Sequence, residues 1–215
     1  MHFSAAVFDM DGLLLDSEQV SYDTFSQACR ELGLAFKEQV YLSCIGTNAE
    51  QIKKTICEGY GEGLDYPRLR DCWLDKYHAL AVDQALPIKQ GVVDLLQWLT
   101  SQGVPLAVAT SSGKPTAEAK LGNADLLHFF ESVSTGCQVN NSKPHPEIFL
   151  KAAKSLNIDA SKCLAFEDSE NGVRAAVAAG MQVYQIPDLI QPSEELKRLG
   201  HKVRASLSEV LLELK

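Results

Sequence analysis

The sequence predicts an α/β fold: a doubly wound parallel sheet with a small all-helical domain inserted after the first strand. Short apolar runs alternate with helical patterns over most of the chain, which is typical of a parallel sheet covered by helices on both faces. Between residues 17 and 83 this alternation stops, and only helical spacing is found. A chain of 215 residues has room for one full domain and a smaller insert. We therefore expect a core domain formed by residues 1–15 and 86–215, and a helical cap domain formed by residues 16–85.

The strands of the core are predicted from five short apolar runs. In chain order they are residues 5–8, 104–109, 132–135, 162–166 and 182–186, of which the third is the weakest. Runs of this length fit strands that are buried on both faces of a sheet. The first strand therefore lies at the extreme N-terminus, before the insert, and the other four follow it.

The helices of the core are predicted from apolar spacing and from signals at their ends. One helix has apolar residues at i, i+3, i+4 and i+7, namely Val92, Leu95, Leu96 and Leu99. Pro146 suits the first turn of a second helix, which should run to residue 156. Gly180 suits the end of a third helix over residues 171–179. Ser206 and Glu209 form the capping-box pattern that opens a last helix.

The insert carries two sets of apolar residues at helical spacing. The first set is Tyr22, Phe25, Cys29 and Leu32, and the second is Leu69, Trp73, Tyr77 and Leu80. Between them, Gly59, Gly61 and Gly63 predict a loop. We expect the aromatic side chains of this pattern to pack in the interior of the inserted domain.

Composition and charge exclude several classes of function. Hydrophobic residues make up 46% and charged residues 22% of the chain, as in ordinary globular proteins. The net charge of −8 argues against non-specific binding to nucleic acid or to an anionic membrane, since both require basic surfaces. No apolar run approaches the length of a membrane span. We expect a cytoplasmic protein, as a monomer or weak homodimer, that binds neither nucleic acid nor membrane.

The six cysteines are scattered and include no C-x-x-C pair, which argues against zinc-ribbon and thioredoxin-like sites. The apolar stretch at the N-terminus is interrupted by Asp9 and Asp11, so we expect no secretion signal. Free thiols in a reducing compartment are the expected state of these cysteines.

Four polar clusters follow predicted strands at their carboxyl ends, where open α/β sheets bind ligands. In chain order they contain Asp9 and Asp11, then Thr110, Ser111 and Ser112, then Lys143, and finally Glu167 and Asp168. Each cluster alone would fit an ordinary turn or helix cap. Four of them at four strand ends indicate a single site.

The charges of these clusters predict what the site must contain. Four carboxylates would converge with one lysine opposing them, and two like charges about 4 Å apart repel by roughly 4 kcal/mol at an effective dielectric near 20. A divalent metal removes the conflict, because it binds carboxylates and phosphate oxygens together. All candidate ligands are hard oxygen donors, which favours Mg²⁺ over Zn²⁺.

The motifs around these clusters resemble those of the haloacid dehalogenase superfamily. Residues 8–18 (FDMDGLLLDSE) match its first motif, residues 108–111 (VATS) its second, residues 142–149 (SKPHPEIF) its third and residues 166–172 (FEDSENG) its fourth. The likeness spans nearly the whole chain and is closest to the β-phosphoglucomutase-like and sugar-phosphate phosphatase branch. It implies a Rossmann-like core with a helical cap inserted after the first strand.

The resemblance also implies a role for each matched residue. Asp9 would be the nucleophile that forms an aspartyl phosphate, and Asp11 the general acid and base. Thr110 and Ser111 would bind the phosphoryl oxygens. Lys143 would neutralise charge there and orient Asp9.

The metal ligands implied by the resemblance are Asp9, the main-chain carbonyl of Asp11, and Asp168, with Glu167 acting directly or through water. In the cap, the loop Gly46-Thr47-Asn48 is a candidate for substrate selection, with Asn48 as its proposed binding residue. The expected activity is Mg²⁺-dependent hydrolysis of a small phosphomonoester. A sugar phosphate is the leading substrate class, with a nucleoside or pseudouridine monophosphate as another possibility.

Two other functions stay open at this stage. A β-phosphoglucomutase-type sugar-phosphate mutase would share all four motifs, but the His and Arg of its cap have Ser21 and Ala49 as their counterparts here. A phospho-acceptor signalling module would also use an acidic pair, a hydroxyl and a lysine, but in a different order and without a helical insert. His145 is interpreted as a residue at the start of a helix rather than a catalytic one.

Overall fold

The structure is a computed structural model that describes residues 3–45, 47 and 49–215. Its core is a six-stranded parallel sheet with the strand order β3-β2-β1-β4-β5-β6. The strands are β1 (Ala5–Phe8), β2 (Leu106–Thr110), β3 (Ser132–Thr135), β4 (Cys163–Glu167), β5 (Gln182–Gln185) and β6 (Lys202–Val203). The predicted fold class is therefore confirmed. The two-residue strand β6 was not predicted, because an edge strand this short leaves no apolar run in the sequence.

Helices cover both faces of the sheet, and successive strand residues point to opposite faces. On one face, Ala6 and Phe8 of β1 pack in an apolar layer with α5 (Val92–Ser101), α6 (Lys114–Asn123) and α10 (Leu207–Leu214). On the other, Ala5 and Val7 pack with α7 (Glu147–Ser155), α8 (Glu170–Ala178) and α9 (Glu194–Lys197). Because β1 is buried on both faces, its sequence is a continuous apolar run rather than an alternating one.

Four core helices lie where the sequence predicted them, and two were missed. Helices α5, α7, α8 and α10 agree with the predicted positions to within a few residues. Helix α6 was not predicted, because a lysine, Lys120, takes one place on its buried face between the apolar residues Ala117 and Leu121. Helix α9 has four residues, too few to show a period.

The insert between β1 and the rest of the core consists of helices. They are α1 (Ser17–Glu31), α2 (Glu38–Leu42), α3 (Ala49–Tyr60) and α4 (Tyr66–Ala81). Phe25, Tyr41, Ile56 and Leu69 form the centre of a separate apolar cluster, against which Trp73 packs. The predicted glycine loop is shorter than expected: α3 continues through Gly59, and only Gly61 and Gly63 lie in the turn with positive φ.

None of the helices in the described ranges is both long and apolar enough to cross a bilayer. All six cysteines are free thiols, as expected from the sequence.

Candidate active site

The carboxyl ends of three neighbouring strands bring the predicted site residues together. Strand β1 pairs with β2 on one side and with β4 on the other, and Phe8 lies in register with Val108 and Phe166. Asp9 comes directly after β1, where its backbone N–H donates to the Phe166 carbonyl at 2.9 Å. The strand order reverses between β1 and β4, so Asp9 lies at the point where sheets of this type bind ligands.

Three carboxylates meet at this point. Asp9, Glu167 and Asp168 are buried, and each offers a ligand atom within 4.8 Å of the others, close enough to hold one metal ion. The only cation bonded to this trio among the described residues is Lys143, whose Nζ donates to Asp9 Oδ1 at 2.5 Å and to Glu167 Oε1 at 2.6 Å. The structure therefore gathers three of the four predicted carboxylates around one lysine, whereas the fourth, Asp11, is paired with a second lysine, Lys120.

Burial and mutual repulsion raise the pKa values of Asp9 and Asp168. Burial raises the pKa of Asp9 to about 8; Lys143 opposes the rise and Glu167 adds to it. The pKa of Asp168 is also raised well above its usual range, first by burial and then by Glu167 and Asp9. Carboxylates that resist ionisation in this way are stabilised as anions when a cation joins them.

Glu167 is held by donors at both oxygens. Its Oε1 accepts from Lys143, and its Oε2 accepts from the backbone N–H of Asp168, the backbone N–H of Ser169 and the Ser169 hydroxyl, each at 3.0 Å. The side chain has no exposed surface. Glu167 thus fixes the position of Lys143 and of the chain that carries Asp168.

Asp11 has a different set of partners from the other acidic residues. Its Oδ1 accepts from Lys120 Nζ at 2.7 Å and its Oδ2 accepts from the Ser112 hydroxyl at 2.8 Å. Burial would raise the pKa of Asp11, but Lys120 and Ser112 outweigh it, and the pKa is lowered overall. Lys120 also donates to the hydroxyl of Tyr77 at 2.7 Å.

A cavity of about 580 Å³ lies in front of these residues. Its core side is lined by residues that include Asp9, Asp11, Thr110, Ser111, Lys143 and Asp168. Its other side is lined by residues of the insert, namely Glu18, Ile45, Thr47, Ala49, Leu74, Tyr77 and His78. Thr110 is buried at the end of β2, and its hydroxyl accepts from the backbone N–H of Ser112 at 3.1 Å. A ligand in this cavity would contact both the core and the insert.

Some residues singled out from the sequence lie elsewhere. Asn48, like Gly46, lies outside the described residues, and the neighbouring Thr47 lines the cavity. His145 is exposed, and its Nδ1 accepts from the backbone N–H of Glu147 at the start of α7, as its interpretation required.

Sequence reasoning assigned no role in the site to Ser112, Lys120 or Tyr77. Ser112 stands in the second polar cluster, directly after the second motif. Lys120 lies in a helix that was not predicted, and Tyr77 was interpreted as a packing residue because it shares its spacing with Trp73. The sequence contained no signal for the contact between them.

Comparisons with known proteins agree with this geometry. The family model described as haloacid dehalogenase-like hydrolase matches residues 6–186. A protein of Thermotoga maritima named phosphorylated carbohydrates phosphatase is 28% identical over 215 residues, which cover 98% of each chain. The fructose-1-phosphate phosphatase of Escherichia coli is 29% identical over 185 residues, covering 86% of this chain and 96% of that one.

A similar structure has been solved with ligands. The crystal structure of a HAD family hydrolase from Deinococcus radiodurans, with bound phosphate and sodium, superposes with a TM-score of 0.84 at 25% identity, covering 99% of this chain and 95% of that one. The chain belongs to the haloacid dehalogenase-like hydrolase family. The predicted family and the predicted class of enzyme, a phosphoric monoester hydrolase, are confirmed, since relatives that match over most of the chain are phosphatases by name.

Proposed function

We propose that this protein is a Mg²⁺-dependent phosphatase that hydrolyses a small sugar phosphate through an aspartyl phosphate on Asp9. The observation that carries the proposal is the buried trio of Asp9, Glu167 and Asp168 with Lys143 bonded to two of its members. This arrangement suits a dianionic phosphate only together with a divalent cation.

In the first half of the proposed reaction, Asp9 is the nucleophile. One oxygen of its carboxylate attacks phosphorus, the bond between phosphorus and the ester oxygen breaks, and Asp11, which must be in its protonated form at this step, gives that proton to the leaving oxygen. Thr110 and Ser111, at the end of β2, bind the phosphoryl oxygens, and Lys143 balances the charge that collects there.

In the second half, water attacks the phosphorus of the aspartyl phosphate. Asp11 accepts the proton of that water, inorganic phosphate leaves, and the Asp9 carboxylate is restored. One residue thus serves as acid and then as base, which requires its side chain to line the same cavity as Asp9.

The donor set fits a magnesium ion. Asp9 and Asp168 would hold it together with the main-chain carbonyl of Asp11, all of them the oxygen ligands that Mg²⁺ prefers. When bound, the ion would neutralise the carboxylates and the phosphate together. Glu167, whose two oxygens already accept four hydrogen bonds, supports the site through Lys143 and Ser169.

The lining of the cavity favours a monophosphate over a bisphosphate. Among the described residues of the inserted helices, those that line the cavity include no lysine or arginine. The counterparts of the two mutase residues are neutral: Ala49 lines the cavity and Ser21 lies on α1. A mutase must hold a second phosphate, so this lining favours hydrolysis. The two named relatives act on phosphorylated carbohydrate and fructose 1-phosphate, which supports sugar phosphates as the substrate class.

We further propose that the inserted helices, residues 16–85, act as a cap that closes over the substrate. The cavity lies between the two domains, so motion of the cap would open and shut it. Closure would keep bulk water out during transfer to Asp9.

The test is a panel of sugar and nucleoside monophosphates assayed for phosphate release with and without Mg²⁺. We expect at least one sugar phosphate to be hydrolysed with Mg²⁺, loss of that activity with chelator, and loss of it in Asp9→Asn, whose folding is checked by circular dichroism. Substantial activity in folded Asp9→Asn would overturn the mechanism. Isomerisation of glucose 1-phosphate without phosphate release would favour the mutase instead.

A further inference from the structure

Lys120 is a buried lysine that none of the four motifs includes. It lies on α6 with 2% of its side chain exposed, although lysine is rarely buried unless it is paired. Its Nζ has two partners at hydrogen-bond distance, Asp11 Oδ1 and the hydroxyl of Tyr77, both at 2.7 Å. A charge placed here costs desolvation free energy, which these two contacts offset.

The contact with Lys120 fixes one side of the Asp11 carboxylate. Ser112 donates to the other oxygen, so the two oxygens have different donors and the plane of the carboxylate is set. Lys120 and Ser112 both come from the chain after β2, which makes the orientation of Asp11 depend on a segment outside its own motif. Each oxygen still has lone-pair capacity toward the cavity that it lines.

The contact with Tyr77 crosses from the core to the inserted helices. Tyr77 lies on α4, and its ring also faces Lys120 Nζ at 4.9 Å from the ring centroid. Three residues after Lys120, at the C-terminal end of α6, Asn123 donates to the carbonyl of Val82, just after α4, at 2.8 Å. Helices α4 and α6 are therefore joined at two points, one of which leads through Lys120 to Asp11.

We propose that Lys120 is a positioning residue for the acid–base function of Asp11, and that Tyr77 makes this positioning depend on where the cap lies. The proposal rests on the function proposed above. With the cap in the observed place, Tyr77 holds Lys120, and Lys120 with Ser112 holds the Asp11 carboxylate for proton transfer. When α4 moves away, Lys120 loses one partner and Asp11 loses its fixed orientation.

The experiment uses the dependence on the leaving group, which distinguishes proton transfer from folding. An alkyl ester needs a proton on its leaving oxygen, whereas p-nitrophenolate leaves without one. We would measure kcat/KM, which reports the steps up to transfer to Asp9, for p-nitrophenyl phosphate and for the best sugar phosphate of the panel. Lys120→Met should lower the value for the sugar phosphate about 10- to 100-fold, and that for p-nitrophenyl phosphate less than about threefold.

Tyr77→Phe removes only the hydroxyl and tests the link to the cap. It should lower kcat/KM for the sugar phosphate by about two- to tenfold, the equivalent of one ordinary hydrogen bond, and leave p-nitrophenyl phosphate nearly unchanged. The matched controls are Lys162→Met, an exposed lysine that pairs with Asp159 before β4, and Tyr22→Phe, a cap tyrosine whose hydroxyl donates to Glu38. Both controls should behave as the wild type.

Equal losses for the two esters in Lys120→Met, or no loss for either, would overturn the positioning role. A Tyr77→Phe variant that matches the wild type would overturn the link to the cap. Failure of the proposed function is distinguishable from both, because the wild-type protein would then hydrolyse no member of the panel in an Asp9-dependent manner.

Discussion

Glu167 depends on a glycine one turn into the next helix. Gly172 of α8 lies so close to the Glu167 carboxylate that an added Cβ would overlap it. The carboxylate has nowhere to move without breaking its bonds to Lys143 or Ser169, because it is fully buried and bonded at both oxygens. At this position the absence of a side chain is therefore a requirement of the site.

We expect Gly172→Ala to lower phosphatase activity at least about tenfold and stability by about 1–3 kcal/mol, since overpacking displaces a buried, bonded group. Initial rates and urea unfolding measure the two effects. The control is Gly122→Ala on α6, where an added Cβ meets nothing and helix propensity predicts a slight gain in stability. Wild-type rates in Gly172→Ala would show that the Glu167 carboxylate is not a fixed part of the site.

Individual site residues differ in how far the sequence could predict them. Asp9 and Asp168 directly follow β1 and β4, so their meeting followed from the parallel sheet alone, whereas Lys143 lies well beyond the end of β3, in the segment before α7, and was identified by its motif. The contact of Lys120 with Asp11 could not be predicted in this way, because it depends on the packing angle of α6 and on the length of one side chain. From sequence alone, a lysine in a helix is predicted to be exposed to solvent, because lysine is rarely buried unless it is paired.

Among the elements, α5 and α10 show how closely two core helices pack. Gly91 precedes α5 with a positive φ of 84°, and a Cβ there would lie 2.9 Å from the Leu207 carbonyl carbon and nearer still to the backbone N of Ser208. Backbone atoms of α10 cannot move aside as a flexible side chain could. Glycine is therefore required at this position for two separate reasons: the positive φ, and the lack of space for a Cβ beside the backbone of α10.

We expect Gly91→Ala to destabilise the fold more than Gly103→Ala, which lies just after α5 with a φ of 69° and open space around it. Gly103→Ala should cost about 1–2 kcal/mol for the backbone conformation alone, and Gly91→Ala about 1–3 kcal/mol more for displacing α10. The difference between the free energies of unfolding of the two variants in urea measures the cost of displacing α10. Equal values would mean that α10 tolerates displacement from α5.

Elements with a clear period or an unbroken apolar run were predicted, and others were not. The bounds of β1 and β3 agree with the prediction to the residue, and α5 begins at the predicted Val92. Helix α6 was missed because Lys120 interrupts its apolar face, and β6 because two residues at a sheet edge carry no pattern. Tertiary contacts, not local sequence, define both elements.

For the whole molecule, the acidic trio links metal binding to pH. The pKa of Asp9 is raised to about 8 and that of Asp168 also lies above its usual range, so the metal-free fold takes up protons that the unfolded chain would release. Protonation of these two carboxyl groups therefore contributes to the stability of the metal-free fold at low pH, and this contribution is lost as the pH rises toward 8. A bound cation offsets the cost of ionising these buried carboxyl groups, because it takes the place of those protons.

We therefore expect Mg²⁺ to raise the Tm more at pH 8 than at pH 6, with the affinity increasing roughly tenfold per pH unit for each proton displaced. Thermal melts at both pH values, with and without Mg²⁺, make the comparison. Asp168→Asn should abolish the Mg²⁺-dependent shift at either pH. A larger shift at pH 6 would contradict the proposed carboxylate site.

The arrangement of the whole molecule was predictable only in outline. The break in alternation after β1 indicated a helical insert, and the strand ends indicated where the site lies. The cavity between the core and the inserted helices, and the contact of Tyr77 with Lys120, required the relative placement of α4 and α6, which no local pattern encodes.

The central proposal is that Asp9 accepts the phosphoryl group covalently. The most direct test is rapid acid quenching of the enzyme during turnover with Mg²⁺ and the best sugar phosphate, followed by mass spectrometry of its peptides. The proposal predicts one added phosphoryl group on Asp9, present only with Mg²⁺ and absent in Asp9→Asn. Phosphate release at the full rate with the label on another residue, or with no phosphorylated peptide at any quench time, would contradict it.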